Sequence, residues 1–545
     1  MAHAEVAEVR NELARGAEVE VRQQLQPVRA TKGVFGHSPC MGSWPQLGAL
    51  TRGNRTEFRV WAPAAEAPAV RVGGNDHPLG PEEDGLWSAV VEAPVGEEYL
   101  FVLDGRAWPD PCSRCQPHGL RGPSSVAELP KSRPLGLELR DLVLYELHVG
   151  AFSPAGTFDG VVERLAELRE LGVTAIELMP IATFPGERNW GYDGVYAYAP
   201  HPVYGGPEGF ARLVAATHEA GLGVVLDVVY NHIGPGSEAI AAFGPYFTDR
   251  HTTFWGDAID YAHRGVREWA IQNAEMWVRD YGVDGLRLDA THAIFDDSEQ
   301  HILAELAARV RAIEPRTLLI AEMETGDMRP IEEWGLDAQW ADELHHIVHV
   351  LLTGEQEGYY GEYRPSTADL ARQLERVPAE RLVVCSQNHD QVGNRAFGDR
   401  PARDELLVRA ATVLLAPQTP LLFMGEEYGE RRPFLFFTDH DDPVIGEATR
   451  EGRRREFEAF AAFAGRDIPD PQAPETFEQS KLRPDDGDAE VAAFYRQLLA
   501  LRRSLARAVE VEADENARTL RIRRGAASAA IDFSARTVDL VLPPA

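Results

Sequence analysis

At 545 residues with a formal net charge of −32, the chain is long enough for roughly two to four domains and should repel phosphate backbones and anionic lipid headgroups alike. Its 44% hydrophobic and 26% charged residues exclude disorder throughout. Nucleic acid and membrane are therefore poor partners, and a neutral substrate suits the surface.

No apolar run approaches the ~18 residues of a membrane span, and the N-terminus lacks a signal-peptide core. A cytoplasmic location is expected. The four cysteines (Cys40, Cys112, Cys115, Cys385) are too few and too scattered for a disulfide framework. Cys112-x-x-Cys115 with His118 is part of a zinc pattern whose fourth ligand is missing, so no metal is expected.

In chain order, residues 1–45 are rich in Ala, Glu, Arg and Gln, with a short helix over Val6–Gln24, and read as a poorly ordered extension. From Thr56 the texture changes. Phe58–Pro63, Ala69–Val72, Trp87–Val90 and Tyr99–Leu103 alternate at period two between Gly, Pro and Asp turns, which predicts a small β-sandwich over 46–125. A linker follows over 126–139. Strand and helix patterns then take turns: Leu142–Val149, Thr174–Met179, Gly223–Val229, Gly285–Asp289, Thr317–Glu322, Leu382–Ser386 and Pro420–Met424 as strands, with a sixth unit around Ala338–Leu352. Helices are predicted over Phe158–Leu171, Pro207–Ala220, Val266–Tyr281, Glu299–Ile313 and Asp404–Leu415. Repeated βα units over 140–485 predict an α/β fold, a (β/α)₈ TIM barrel with insertions, rather than a doubly wound sheet. The tail, 486–545, pairs a helix over Ala489–Ser504 with short alternating runs and reads as a small C-terminal β domain.

In Gly285–His292, Arg287 and Asp289 lie two apart on a short strand and so point to the same side. In a closed barrel both are inside. A buried ion pair is one reading; a working site is the other. Catalytic residues of such barrels gather just after the strands. There stand Asp227 with Asn231 and His232, Arg287 with Asp289, Glu322, and Asn388-His389-Asp390, with the aromatic loop Asn189–Asp193 after the second strand. Carboxylates gathered there suit glycosidic cleavage, in which one carboxyl protonates the leaving oxygen while another attacks the anomeric carbon. The two histidines lack a local zinc spacing.

Asp227–His232, Gly285–Asp289, Ile320–Glu322 and Gln387–Asp390 resemble the four ordered motifs of the α-amylase superfamily, family 13 of the glycoside hydrolases. The resemblance implies Asp289 as nucleophile, Glu322 as general acid/base and Asp390 as stabiliser of the oxocarbenium-like transition state. It also implies that Asp227 lines the subsite, that Arg287 keeps Asp289 ionised, that His232 and His389 bond the sugar and that Tyr192, beside Trp190, stacks on it. The two carboxyl groups should then lie roughly 5–5.5 Å apart for retention.

Further stretches resemble a subgroup, the maltooligosyltrehalose trehalohydrolases: Thr183–Gly186 leading to Trp190–Val195, His345-His346 through Thr353–Tyr360, Phe437–His440, and Asp467–Gln472 followed by Ser480–Leu482. That resemblance implies maltooligosyl trehalose, an α-glucan, as substrate, and a maltooligosyltrehalose synthase as pathway partner. It also implies rim contacts from His292, His345, His346, Tyr359 and Tyr360. A glycogen branching enzyme, which transfers the glucan, and a non-catalytic glucan-binding protein are the alternatives. The connection from Tyr360 to Leu382 is short for the family, and Met323 stands where a polar residue is common.

Overall fold

The computed structural model describes residues 44–541 apart from 254, 325 and 459–466. The expected N-terminal extension lies, up to residue 43, outside the described residues. Eight parallel strands close on themselves: β1 (Leu144–Leu147), β2 (Ala175–Leu178), β3 (Gly223–Val228), β4 (Gly285–Leu288), β5 (Leu318–Ala321), β6 (Ala338–Trp340), β7 (Leu382–Cys385) and β8 (Thr419–Phe423), with β8 returning to pair with β1. The crossovers carry α1 (Leu165–Leu171), α2 (Gly206–Glu219), α3 (Arg264–Met276), α4 (Ile302–Ile313), α5 (Glu343–Thr353) with α6 (Thr367–Leu374), and α7 (Arg403–Leu415); α8 (Ala489–Arg502) follows the barrel. The predicted (β/α)₈ architecture is the observed one.

Alternation at period two divides the strand residues between two cores. Leu144, Ala175, Val225, Leu318, Ile320, Ala338, Trp340, Val383, Cys385 and Leu421 fill the barrel interior. Their neighbours Tyr145, Leu147, Ile176, Leu178, Leu226, Leu286 and Leu288 face the helices in the larger core. Strand residues two further toward the C-terminal ends, among them Glu146, Glu177, Asp227 and Arg287, are charged and buried. The barrel is thus apolar below and ionic at its mouth.

Two antiparallel sheets precede the barrel, within Gly48–Glu92 and Ala69–Ser125, giving the N-terminal β layers. They dock through Trp61, whose ring meets Tyr246 edge-on at 5.6 Å, and through Leu47 N–H, which bonds Gln272 Oε1 at 2.9 Å. Between sheets and barrel, Gly136 N–H donates to Asp284 at 2.8 Å. The C-terminal sheet has four strands, the first, Glu510–Asp514, absent from the sequence-based expectation. No helix among the described residues is long and apolar enough to cross a membrane.

Two insertions build walls above the mouth. After β2, Ala182–Thr183 pairs with Tyr196–Pro200 and holds the loop carrying Trp190 and Tyr192. Gly191 sits there at φ 106°, with the position of a Cβ only 2.1 Å from Pro180 O, so any side chain would collide with the backbone. After β3, a hairpin of Phe247–Thr253 and Gly256–Ile259 carries Trp255.

Candidate active site

Arg287 organises the mouth. It is completely buried on β4 and donates from Nη1 to Asp227 Oδ2 (2.6 Å) and Asp289 Oδ1 (2.9 Å), and from Nη2 to Glu322 Oε2 (2.8 Å). Its guanidinium carbon lies 4.2 Å above the Trp340 ring at the end of β6, a cation–π contact. Register explains the geometry: Asp227 on β3 stands directly beside Arg287, and Glu322 follows β5 on the other flank. Charges this deep persist only when paired and hydrogen-bonded, and removing one partner costs ~3–5 kcal/mol.

Both oxygens of Asp289 are engaged, Oδ1 by Arg287 and Oδ2 by Asn231 Nδ2 at 2.7 Å. Such donors fix its direction. Its side chain is 8% exposed, against 21% for Glu322 and 32% for Asp390. Asp289 therefore faces the cleft floor while the other two open into the cleft. Immediately after it, Ala290 adopts a left-handed conformation, φ 38° and ψ 54°. That conformation costs an L-residue on the order of 1–3 kcal/mol. It turns Ala290 N–H onto Glu322 Oε2 at 2.8 Å. One Glu322 oxygen is thus held by Arg287 and Ala290, and Oε1 is left to the cleft. The two carboxyl groups share a single guanidinium, Asp289 on its Nη1 and Glu322 on its Nη2.

Asn388 caps the short helix His389–Gly393 after β7, accepting from Gln391 N–H at 2.7 Å. The cap sets His389 and Asp390 at the mouth. His389 Nδ1 contacts Glu146 Oε1 at 2.5 Å and Nε2 lies 3.4 Å from Asp390 Oδ2. Burial alone would lower its pKa, but the Asp390 and Glu146 carboxylates outweigh burial and lift it to about 10. The ring is an imidazolium at neutral pH. In the unfolded chain imidazole titrates near ~6.5, so the stability gained from charging the ring is complete below that pH and is lost as pH rises to about 10. Thermal unfolding of wild type and His389→Gln should therefore differ most at mildly acidic pH and converge toward pH 10. A gap that stays constant over this range would show the ring to be neutral throughout.

Tyr192 donates to Asp227 at 2.7 Å and stacks on His389 at 5.0 Å. His232 lies parallel to Trp255 at 4.1 Å and donates from Nε2 to the Tyr192 carbonyl at 2.7 Å. Trp190 is buried behind them, stacked on Phe434 at 5.2 Å and edge-on to His389 at 5.6 Å. It supports the site instead of lining it. Gly393 is required there, because a Cβ would sit 2.1 Å from the Trp190 ring.

The expected rim residues fall elsewhere. His292 is exposed on the 3₁₀ turn after β4. His345 and His346 are buried in α5, and Tyr360 is buried with its ring 4.3 Å from that of His349. His345 Nδ1 bonds the Ser386 carbonyl at 2.9 Å. The His346 ring stacks on that of Tyr363 at 4.8 Å, and the Tyr359 side chain lies outside the described residues. Four neighbours escaped sequence reasoning: Glu146, Trp255, Trp340 and Asp342. A fifth, Glu177, is fully buried with neither oxygen hydrogen-bonded, and burial, then the Glu146 carboxylate, raises its pKa well above the usual carboxylate range. Among the described residues no group of His, Cys, Asp and Glu is arranged to hold a metal.

The description "Alpha amylase, catalytic domain" matches residues 146–244. A malto-oligosyltrehalose trehalohydrolase of Deinococcus radiodurans is 43% identical over 84% of this chain and 83% of its own length. One from Saccharolobus solfataricus is 39% identical over 82% of this chain and 85% of its own. The crystal structure of a putative alpha amylase from Salmonella typhimurium superposes with a TM-score of 0.79 at 38% identity, covering 89% of this chain and 92% of the other. Identity at this level across the sheets and the barrel together fixes the assignment: the chain belongs to the malto-oligosyltrehalose trehalohydrolase family, built on the α-amylase catalytic barrel.

Proposed function

We propose that the protein hydrolyses the α-1,4-glucosidic bond next to the terminal trehalose of maltooligosyl trehalose, with retention, releasing trehalose and a maltooligosaccharide. The observation that carries the reading is the single guanidinium of Arg287 joined to Asp289 and Glu322 together. In the first step Glu322 gives its proton to the glycosidic oxygen while Asp289 attacks the anomeric carbon, and trehalose leaves. In the second, Glu322 takes a proton from water, the water oxygen attacks the same carbon, and Asp289 is released as a carboxylate. Asp390, beside the imidazolium of His389, binds sugar hydroxyls as positive charge develops on the ring carbon. Tyr192 and His232 hold the sugar whose bond is broken.

A neutral, hydroxyl-rich substrate agrees with a net charge of −32. The enzyme would act in the cytoplasm on the product of a maltooligosyltrehalose synthase. Incubation with maltooligosyl trehalose should release trehalose, and the new reducing end should form first as the α-anomer, read by proton NMR. Absence of trehalose together with a shifted iodine stain of amylose would identify a branching enzyme instead.

A further inference from the structure

Glu146 reaches His389 across the barrel mouth. It is buried on β1, whereas His389 follows β7, and β8 stands between those two strands. The contact has two points: Oε2 accepts from the His389 backbone N–H at 2.9 Å, and Oε1 accepts from ring Nδ1 at 2.5 Å. One carboxylate thus fixes both the backbone of the first residue of the short helix and the rotation of its ring. With Nδ1–H committed to Glu146, the other ring nitrogen, Nε2, is the one that faces Asp390 Oδ2, 3.4 Å away. Only the charged ring carries a proton on each nitrogen. A neutral ring held in this way would set a bare Nε2 against a carboxylate.

The other groups around the ring leave that task to Glu146. Burial, and then Arg287 on β4, oppose a charge on the ring. His148, which follows β1, is neutral, because burial lowers its pKa to about 4. Tyr192, from the loop after β2, brings its hydroxyl within 3.4 Å of Nδ1, but the hydroxyl proton goes to Asp227. Glu177 on β2 is in register with Glu146 and so points to the same side. Neither of its oxygens is hydrogen-bonded to a described residue, and burial, then Glu146, keep it protonated. We infer that Glu146 is a positioning residue: it holds His389 doubly protonated and turned toward Asp390, and so sets the carboxylate assigned above to the transition state. The inference rests on the glycosidase reading.

A substrate that needs no acid isolates this role. With maltooligosyl trehalose, the loss of rate at high pH also reports Glu322, which must be protonated to act. With α-maltosyl fluoride it does not, since fluoride leaves unaided and Glu322 serves only as base. On the fluoride, kcat of wild type should hold level until the ring loses its proton at about pH 10. Glu146→Gln keeps the size and an acceptor for Nδ1 but removes the charge. Its decline should begin ~1–3 pH units lower, the shift for losing one adjacent opposite charge, with KM little changed because Glu146 is buried away from the sugar. Glu177→Gln, an amide in place of a protonated acid, should leave the decline where wild type has it. Coincident profiles of Glu146→Gln and wild type, or an equal shift in Glu177→Gln, would overturn the inference. If Glu146→Gln does not fold, wild type with ¹⁵N-labelled histidine serves. The ring signal missing from His389→Gln should show two protonated nitrogens at pH 8, and a single protonated nitrogen would overturn the inference. Wild type inert toward both substrates would instead overturn the glycosidase reading, and the ring signal would still report the protonation that Glu146 imposes.

Discussion

Asp289→Asn should lower kcat on maltooligosyl trehalose by ~10⁴-fold or more while changing KM little, the pattern of a group needed only in the transition state. The amide keeps the shape and leaves Asn231 and Arg287 in place, but it cannot form the acylal bond. Its neighbours make the result sharper than for an ordinary carboxylate. Asp289 Oδ1 and Oδ2 each accept from a fixed donor at 2.9 and 2.7 Å, so the native group is held in one orientation. The smaller variant Asp289→Ala opens space on that face. Added azide should then attack the anomeric carbon directly, displace trehalose and give a β-glycosyl azide, one inversion from the α-substrate. Activity retained in Asp289→Asn would sink the mechanism, and an azide product of α-configuration would place the nucleophile elsewhere.

Much of this site was legible without coordinates because the barrel strands end in charged residues that no exposed strand would place beside Val and Leu runs. Arg287 and Asp289 are two apart, and period two alone put them on one side. Whether they formed a structural pair or a working site depended on partners from β3, β5 and β7. The structure brings Asp227 of β3 and Glu322 after β5 onto one guanidinium and sets Asp390 beside His389 after β7. The ion pair is real, and of its carboxylates Asp227 is buried while Asp289 and Glu322 keep 8% and 21% of their side-chain surface exposed.

What escaped has physical causes. β6 has only three residues, Ala338–Trp340, too few for any period to register, so neither Trp340 nor Asp342 could be placed. Glu146 and Glu177 sit inside four-residue strands whose alternation matches that of a half-exposed sheet. Only closure of the barrel turns them inward. The first strand of the hairpin bearing Trp255 contains Asp249, Arg250 and His251, and its polar run carries no strand-like apolar alternation. In α5 the reverse error arises. The resemblance puts His345 and His346 at the rim, but ten of the eleven residues of that helix are buried, and His345 Nε2 is buried without a hydrogen-bond partner. Polar side chains signal water only when nothing aromatic or charged packs on them.

Glu322→Gln should behave differently from any Asp289 variant, because the acid acts in one step and the base in the next. On maltooligosyl trehalose the expected loss is ~10²–10⁴-fold, the range for removing general acid–base catalysis. On α-maltosyl fluoride the first step needs no acid, since fluoride leaves unaided, and Asp289 still attacks. The glycosyl-enzyme should then accumulate, because no base remains to activate water. Intact-protein mass spectrometry should find the added maltosyl group, and peptide mapping should place it on Asp289. Azide, an anion that needs no deprotonation, should relieve the block and give the α-glycosyl azide, two inversions from the substrate. Opposite anomers from the two variants thus assign the two roles independently. The geometry supports this division: Glu322 Oε2 is fixed by Arg287 and Ala290 at 2.8 Å each, which leaves Oε1 to exchange the proton. If Glu322→Gln processed both substrates at wild-type rates, the free carboxyl of Asp342 on the neighbouring strand would become the candidate acid, and a double variant would be the next measurement.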